Sequence, residues 1–196
     1  MTATGHRNIG IFGGSFNPIH LGHTALARQI RREANLDEVW LMVSPQNPLK
    51  PVDTLLSDQL RFQMARLALH GEDGIMAVSY ELHLPRPSYT WNTLQHLSNL
   101  FPSYRFSLII GADNWHTFNH WRHSDDIISN YDILVYPRQG YDVDTNSLPT
   151  TVRMLQMPLY NISSTMVRSC VQQGNDIREL VSPAIVPLVK RLYLEK

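Results

Sequence analysis

An α/β fold, with a Rossmann-like doubly wound parallel sheet, is predicted by three features of the chain. Short apolar, β-rich runs alternate with amphipathic helical stretches along its whole length, which is the pattern of βαβ crossovers. Two of those runs, Ile9–Phe12 and Arg105–Ile110, break into glycine turns, Gly13-Gly14 and Gly111-Ala112-Asp113. Loops after other strands are rich in proline, as in Ser44–Pro51. In open parallel sheets ligands bind beyond the carboxyl ends of the strands, so these turns and loops are where function is expected. At 196 residues and 43% hydrophobic composition, residues 1–196 are expected to form a single domain with a substantial core.

The first strand, turn and helix, Ile9–His23, organise the rest. Gly13-Gly14 let the backbone bend with its amides uncovered by any Cβ. A helix opening near His20 or Leu21 points its amides and the positive end of its dipole back at that turn, which makes an anion site. His20 and His23, three apart, project from one side of its first turn. The stretch has neither the P-loop lysine nor the three-glycine dinucleotide fingerprint. A zinc site would need further ligands, and neither a cysteine nor an HExxH pattern is near, so no protein metal site is expected.

The first helix is expected over Leu21–Asn35, with Leu21, Ala25, Leu26 and Ile30 inward and Arg28, Arg31, Arg32 and Glu33 in water. Val39–Val43 is the second strand, and Lys50 in the loop after it reads equally as a phosphate contact or a solvated lysine. Ser57-Asp58 caps the next helix, with Leu60, Met64 and Leu67 as its buried stripe. Ile75–Tyr80 is a third strand. Thr90 is placed to cap a helix over Trp91–Leu100. Arg105–Ile110 is the most apolar strand, and Trp115, Phe118 and Trp121 follow at spacings of one or two helical turns, one tryptophan serving the core and another free to act as a stacking platform. Asp132–Tyr136 is the fifth strand, leading through Pro137-Arg138 into a polar, mobile connection over Gln139–Thr150. Val152–Met157 is a short sixth strand. Ser163, Ser164 and Thr165 open a helix ending near Gly174, with Arg168 one turn in on the same face as Ser164, a second anion cradle. Ser182-Pro183 begins the last helix.

Lys+Arg and Asp+Glu balance at 17 each, so no global basic field draws the chain to nucleic acid. Cys170 is the only cysteine, and the longest apolar runs are too short to cross a bilayer. With no apolar signal core in MTATGHRN, a cytoplasmic protein is expected.

Two stretches then carry a resemblance. GGSFNPIHLGH, residues 13–23, resembles the (H/T)xGH signature of the nucleotidyltransferase superfamily, in the form found in bacterial nicotinate-mononucleotide adenylyltransferases. ISSTMVR, residues 162–168, resembles the superfamily's ISSTxxR signature, and Ser88-Tyr89-Thr90 and Gly111-Ala112-Asp113 with Trp121 downstream resemble the pyridine-pocket segments of that family. The resemblance implies transfer of the adenylyl group of ATP to nicotinate mononucleotide, with His20, His23 and Arg168 catalytic and Mg2+ accompanying the triphosphate. It implies an ATP site from Gly13, Gly14, Ser15, Phe16, His20, His23, Gly111, Asp113, Ile162, Ser163, Ser164, Thr165 and Arg168. The mononucleotide would meet Ser15, Lys50, Thr90, Trp121, Arg122 and Arg138. This chain departs from the family pattern at Leu49, where histidine is usual, and at Arg122, where many members have tyrosine. Alternatives are the same transfer to nicotinamide mononucleotide, phosphopantetheine or FMN, or a noncatalytic nucleotide-binding regulator. Both a monomer and a homo-oligomer are compatible with the sequence.

Overall fold

The computed structural model describes residues 6–45 and 55–194. Its centre is a parallel sheet of six strands in the order β3-β2-β1-β4-β5-β6. They are β1 (Arg7–Gly14), β2 (Glu38–Val43), β3 (Ile75–Val78), β4 (Tyr104–Gly111), β5 (Asp132–Tyr136) and β6 (Val152–Met154). The chain winds outward from β1 to β3, returns to the middle and winds outward again through β4 to β6. This is the doubly wound Rossmann-like order, with its switch point between β1 and β4.

Alternation along each central strand divides the apolar residues between two layers. Ile9 and Ile11 of β1 join Trp40, Met42, Leu108 and Ile110 on one face, under α3 (Thr90–Leu100), α4 (Ala112–His116) and α5 (Ser124–Asn130). Phe12, Leu41, Val43 and Ile109 face the other way, toward α1 (Leu21–Glu33), α2 (Asp58–Ala68), α6 (Ser164–Gln172) and α7 (Val186–Leu194). Gly10 has no side chain to place because the space is filled: a Cβ there would lie 2.6 Å from Ile109 and 2.7 Å from Leu36.

Several expected details differ. In α2 the buried residues are Arg61, Met64, Ala65 and Ala68, while Leu67 is 48% exposed and Leu60 only partly covered. An arginine is tolerated in the core because each of its three nitrogens donates: to Leu56 O at 3.0 Å, to Ser44 O at 2.8 Å and Asp58 Oδ1 at 2.6 Å, and to Ser15 O. Thr90 is the first residue of α3 rather than its cap. Tyr89 holds the cap position and makes no side-chain cap bond. Nor does Ser182 cap through its hydroxyl; Pro183–Ile185 form a 3-10 turn ahead of α7. Strands β3 and β6 stop at Val78 and Met154, and a 3-10 turn over Tyr80–His83 takes the end of the expected third strand.

Arg31, expected as surface charge, reaches Asp37 O at 3.0 Å and Asp73 Oδ2 at 3.0 Å, tying α1 to the entries of β2 and β3. The buried core aromatic after β4 is Phe118, with Trp115 and Trp121 partly covered against it. Among the described residues no helix is long and apolar enough to cross a membrane.

Candidate active site

The carboxyl ends of β1 and β4 open into a cleft of about 740 Å³, within the range of small-ligand sites. Its floor is the turn after β1. At Gly14 a Cβ would lie 3.0 Å from the tip of the Phe16 ring, so the ring packs closely over the glycine at the strand end. Phe16 itself adopts φ 44°, a left-handed conformation rare for a phenylalanine.

The chain then enters α1 with His20 at the cap position and His23 three residues on. The His20 amide donates to His23 Nδ1 at 3.2 Å, so a neutral His23 carries its proton on Nε2. The imidazoles stack with centroids 3.6 Å apart. Burial and the charge of Arg138 push His20 down to about 4, and burial, His20 and Arg138 hold His23 well below the usual histidine range. Both rings are therefore neutral at pH 7, each with one N–H to give.

That depression has a measurable consequence for stability. On acidification the unfolded chain takes up a proton near pH 6.5, whereas folded His20 waits until about 4, so stability falls as pH drops through this window. His20→Gln should lose less stability than wild type between pH 7.5 and pH 5, by about 2 kcal/mol in urea unfolding. Parallel pH profiles for the two proteins would contradict a neutral His20.

The second cradle is docked on the first loop. Ser163 caps α6 by accepting from the Met166 amide at 3.1 Å, and Ser164 Oγ donates to Pro18 O at 2.8 Å. Arg168 donates to Asn17 O at 2.8 Å and to Thr165 Oγ1 at 3.1 Å. Asn17 is in turn held by Tyr193, whose hydroxyl donates to its Oδ1 at 2.6 Å. The amino ends of α1 and α6 thus face one space.

The far wall comes from β4 and β5. A Cβ on Gly111 would fall 2.3 Å from Asp113 Oδ1 and about 3 Å from Arg138, so a larger residue there would displace these two side chains. Asp113 Oδ1 is buried without a hydrogen-bond partner among the described residues, and Arg138 Nε is 3.5 Å away. Asp113, Tyr136, Arg138, Ile162 and Ser163 also line an adjoining cavity of about 540 Å³. Thr90, Thr93 and Leu94 of α3 and Trp121 complete the lining.

Of the residues singled out from sequence, Gly13, Gly14, Ser15, Phe16, His20, His23, Thr90, Gly111, Asp113, Trp121, Arg138, Ile162, Ser163, Ser164, Thr165 and Arg168 line the cleft. Arg122 does not line it: the side chain is exposed, with its guanidinium 4.8 Å from the Tyr89 ring centre. Lys50 and Leu49 lie outside the described residues. Among the described residues no group of three or more His, Cys, Asp or Glu is placed to hold a metal ion.

A family model described as cytidylyltransferase-like matches residues 11–170, running from within β1 to within α6 and so including the starts of both α1 and α6. The chain belongs to the cytidylyltransferase-like family. It is similar to a probable nicotinate-nucleotide adenylyltransferase of Bacteroides fragilis, 48% identical over 90% of this chain and 88% of the relative. A protein of the same description from Porphyromonas gingivalis is 40% identical over 86% of each chain. Among solved structures, the nicotinic acid mononucleotide adenylyltransferase of Plasmodium falciparum complexed with NaAD superposes with a TM-score of 0.78 at 22% identity, over 96% of this chain and 98% of that one.

Two polar residues that line this cytidylyltransferase-like cleft, Asn17 and Glu81, and one buried behind it, Arg61, escape a reading by motif. Asn17 lies within the first signature but reads there as a turn residue, and its role as anchor for Arg168 and Tyr193 depends on contacts across more than 150 positions. Arg61 sits on a helix face where an amphipathic pattern predicts only surface. Glu81, buried at the cleft wall, accepts from Ser44 Oγ at 2.9 Å and Ser88 Oγ at 2.7 Å. Burial holds its carboxyl above the usual carboxylate range, and these two hydroxyls offset part of that rise.

Proposed function

We propose that this chain transfers the adenylyl group of ATP to nicotinate mononucleotide, giving the deamido dinucleotide and pyrophosphate. The observation that carries the reading is the convergence of two anion-binding helix ends, α1 with its paired imidazoles and α6 with Arg168, on one cleft that also holds Thr90 and Trp121. A triphosphate needs donors spread along its length, and these are supplied by the amino ends of both helices, two N–H-bearing imidazoles and a guanidinium.

A phosphate oxygen of the mononucleotide attacks the α-phosphorus of ATP; the bond to the bridging oxygen breaks, and pyrophosphate leaves with the electron pair. The attacking oxygen is already anionic, so no side-chain base is required. Catalysis then rests on alignment and on donors aimed at the oxygens where charge builds. His23 Nε2–H and the His20 ring fit that task because both are uncharged, prearranged and desolvated. Magnesium accompanying ATP would neutralise phosphate charge, with the protein contributing through the donors of α1, α6 and Arg168 rather than through a metal-binding group among the described residues. A cytoplasmic location accords with this chemistry.

Arg168 should bind ATP rather than the acceptor. Its guanidinium already spans two acceptors, Asn17 O and Thr165 Oγ1, which fixes its plane toward the helix end. Arg168→Ala should lower kcat/KM for ATP by about tenfold to a hundredfold, and Arg168→Lys should recover little of it, since an ammonium offers no planar fork. Full recovery by lysine would show that only a point charge is used.

Acceptor choice follows from the start of α3. The cap residue Tyr89 makes no side-chain cap bond, so the first-turn amides beginning at Thr90 present donors and a positive dipole end beside the cleft. A nicotinate carboxylate satisfies donors with acceptor oxygens only, whereas a carboxamide must set its NH₂ against one of them or turn away. Nicotinate mononucleotide should therefore be favoured over the amide by roughly tenfold to a hundredfold in kcat/KM, the worth of one unsatisfied buried hydrogen bond. Pyrophosphate release with ATP and nicotinate mononucleotide, nicotinamide mononucleotide, phosphopantetheine or FMN in turn measures this, with Trp121→Ala expected to impair both pyridine substrates. Equal use of the amide, or faster release with a non-pyridine acceptor, would overturn the assignment of acceptor.

A further inference from the structure

Among the described residues with buried polar side chains, Glu81 is the sole acid, and the adenylyl transfer outlined above makes no use of it. It is also one of the residues lining the cleft. A buried carboxylate is costly unless its oxygens are satisfied, and here each oxygen accepts from one serine. Ser88 Oγ donates to Oε1 at 2.7 Å and Ser44 Oγ to Oε2 at 2.9 Å.

The two serines belong to different parts of the site. Ser44 follows β2, and all its polar groups are engaged: its amide donates to Gly14 O at 2.9 Å, its carbonyl accepts from Arg61 at 2.8 Å and its hydroxyl goes to Glu81. Ser88 lies two residues before Thr90, at the entry to α3. Glu81 is therefore the link in a continuous chain from the glycine turn of β1, through Ser44, to the segment that presents the amino end of α3. Arg86, two residues before Ser88, is fixed separately by Asp58 Oδ2 at 2.6 Å. The segment before α3 is thus held at two points, and the one nearer the cleft is Glu81.

We infer that Glu81 is a positioning residue for the acceptor: by bridging Ser44 and Ser88 it sets the start of α3 against the β1 turn and so fixes the acceptor side of the cleft. This rests on the reading of the cleft as an adenylyl-transfer site. ATP, held by α1 and α6, makes no demand on that bridge, so its loss separates the two substrates. A glutamine can keep both links, since its carbonyl accepts from one serine and its NH₂ donates to the other after that hydroxyl turns.

The test uses the full-length chain as wild type, Glu81→Ala, Glu81→Gln, Ser88→Ala and the double variant of Glu81→Ala with Ser88→Ala. The readouts are KM for each substrate in steady-state turnover and calorimetric binding of MgATP to each protein. Expected is a rise of about tenfold in KM for nicotinate mononucleotide in Glu81→Ala, the loss of a charge-assisted hydrogen bond, with KM and Kd for ATP within about twofold of wild type. Glu81→Gln should restore most of the acceptor KM, and the double variant should be no worse than Glu81→Ala, because both remove the same link. ATP binding in Glu81→Ala shows that the variant is folded. An unchanged acceptor KM, an equal rise for both substrates, or no recovery by glutamine would overturn the inference. Absence of adenylyl transfer by wild type would instead refute the underlying reading.

Discussion

His20→Ala and His23→Ala should each lower kcat by roughly 10²–10³-fold, the usual cost of removing one donor from developing transition-state charge. Each change deletes an imidazole that lines the cleft. His23→Ala should cost at least as much as His20→Ala, since His23 Nδ1 also accepts the His20 amide at 3.2 Å and loses that anchor as well. The rings stack on each other, so the double variant should fall short of the product of the two single effects. Initial rates at saturating substrates check this, and near-normal turnover in either single variant would remove the histidines from the reaction.

The second large effect is on folding. Arg61→Ala should destabilise the protein by about 3–5 kcal/mol, the range found when one partner of a buried charged network is deleted. The cost arises from what is left behind: the carbonyls of Ser15, Ser44 and Leu56 and the Asp58 carboxylate would all lose a donor in a region where Arg61 is fully buried. Arg61→Lys should recover only part, since one ammonium on a single stem cannot reach acceptors on four residues. Urea unfolding measures both, and a loss below about 1 kcal/mol for the alanine variant would show that water replaces the guanidinium without penalty.

Local signals made the doubly wound parallel sheet and the positions of the two helix starts that line the cleft legible in the sequence. Alternating β-rich and amphipathic runs dictate βαβ crossovers, and a glycine turn followed by a helix start is an anion site whatever lies elsewhere. Two kinds of feature were not legible. The buried face of α2 differs from the expected stripe of Leu60, Met64 and Leu67 because Arg61 is drawn inward by four acceptors, two of them on Ser15 and Ser44, that no helical periodicity reveals. Glu81 gave no sign, because a lone acid before a proline-rich segment looks solvated until Ser44 and Ser88 are brought to it. The capping residue of α3 was displaced by one position for a related reason: Thr90 has good capping chemistry, yet the chain enters the helix with Tyr89 extended and Thr90 already helical. In each case tertiary contacts outweighed a local preference.

The central claim is that this cleft joins the adenylyl group of ATP to nicotinate mononucleotide by direct attack. Its most direct measurement follows label from ATP carrying radioactive phosphorus at the α position, or separately at the γ position, in the presence of purified protein, magnesium and nicotinate mononucleotide. The account predicts that α label appears in the deamido dinucleotide and γ label in pyrophosphate, in equal amounts, with no label bound covalently to the protein at any time. Transfer of γ label to the acceptor, or α label trapped on the chain, would contradict it.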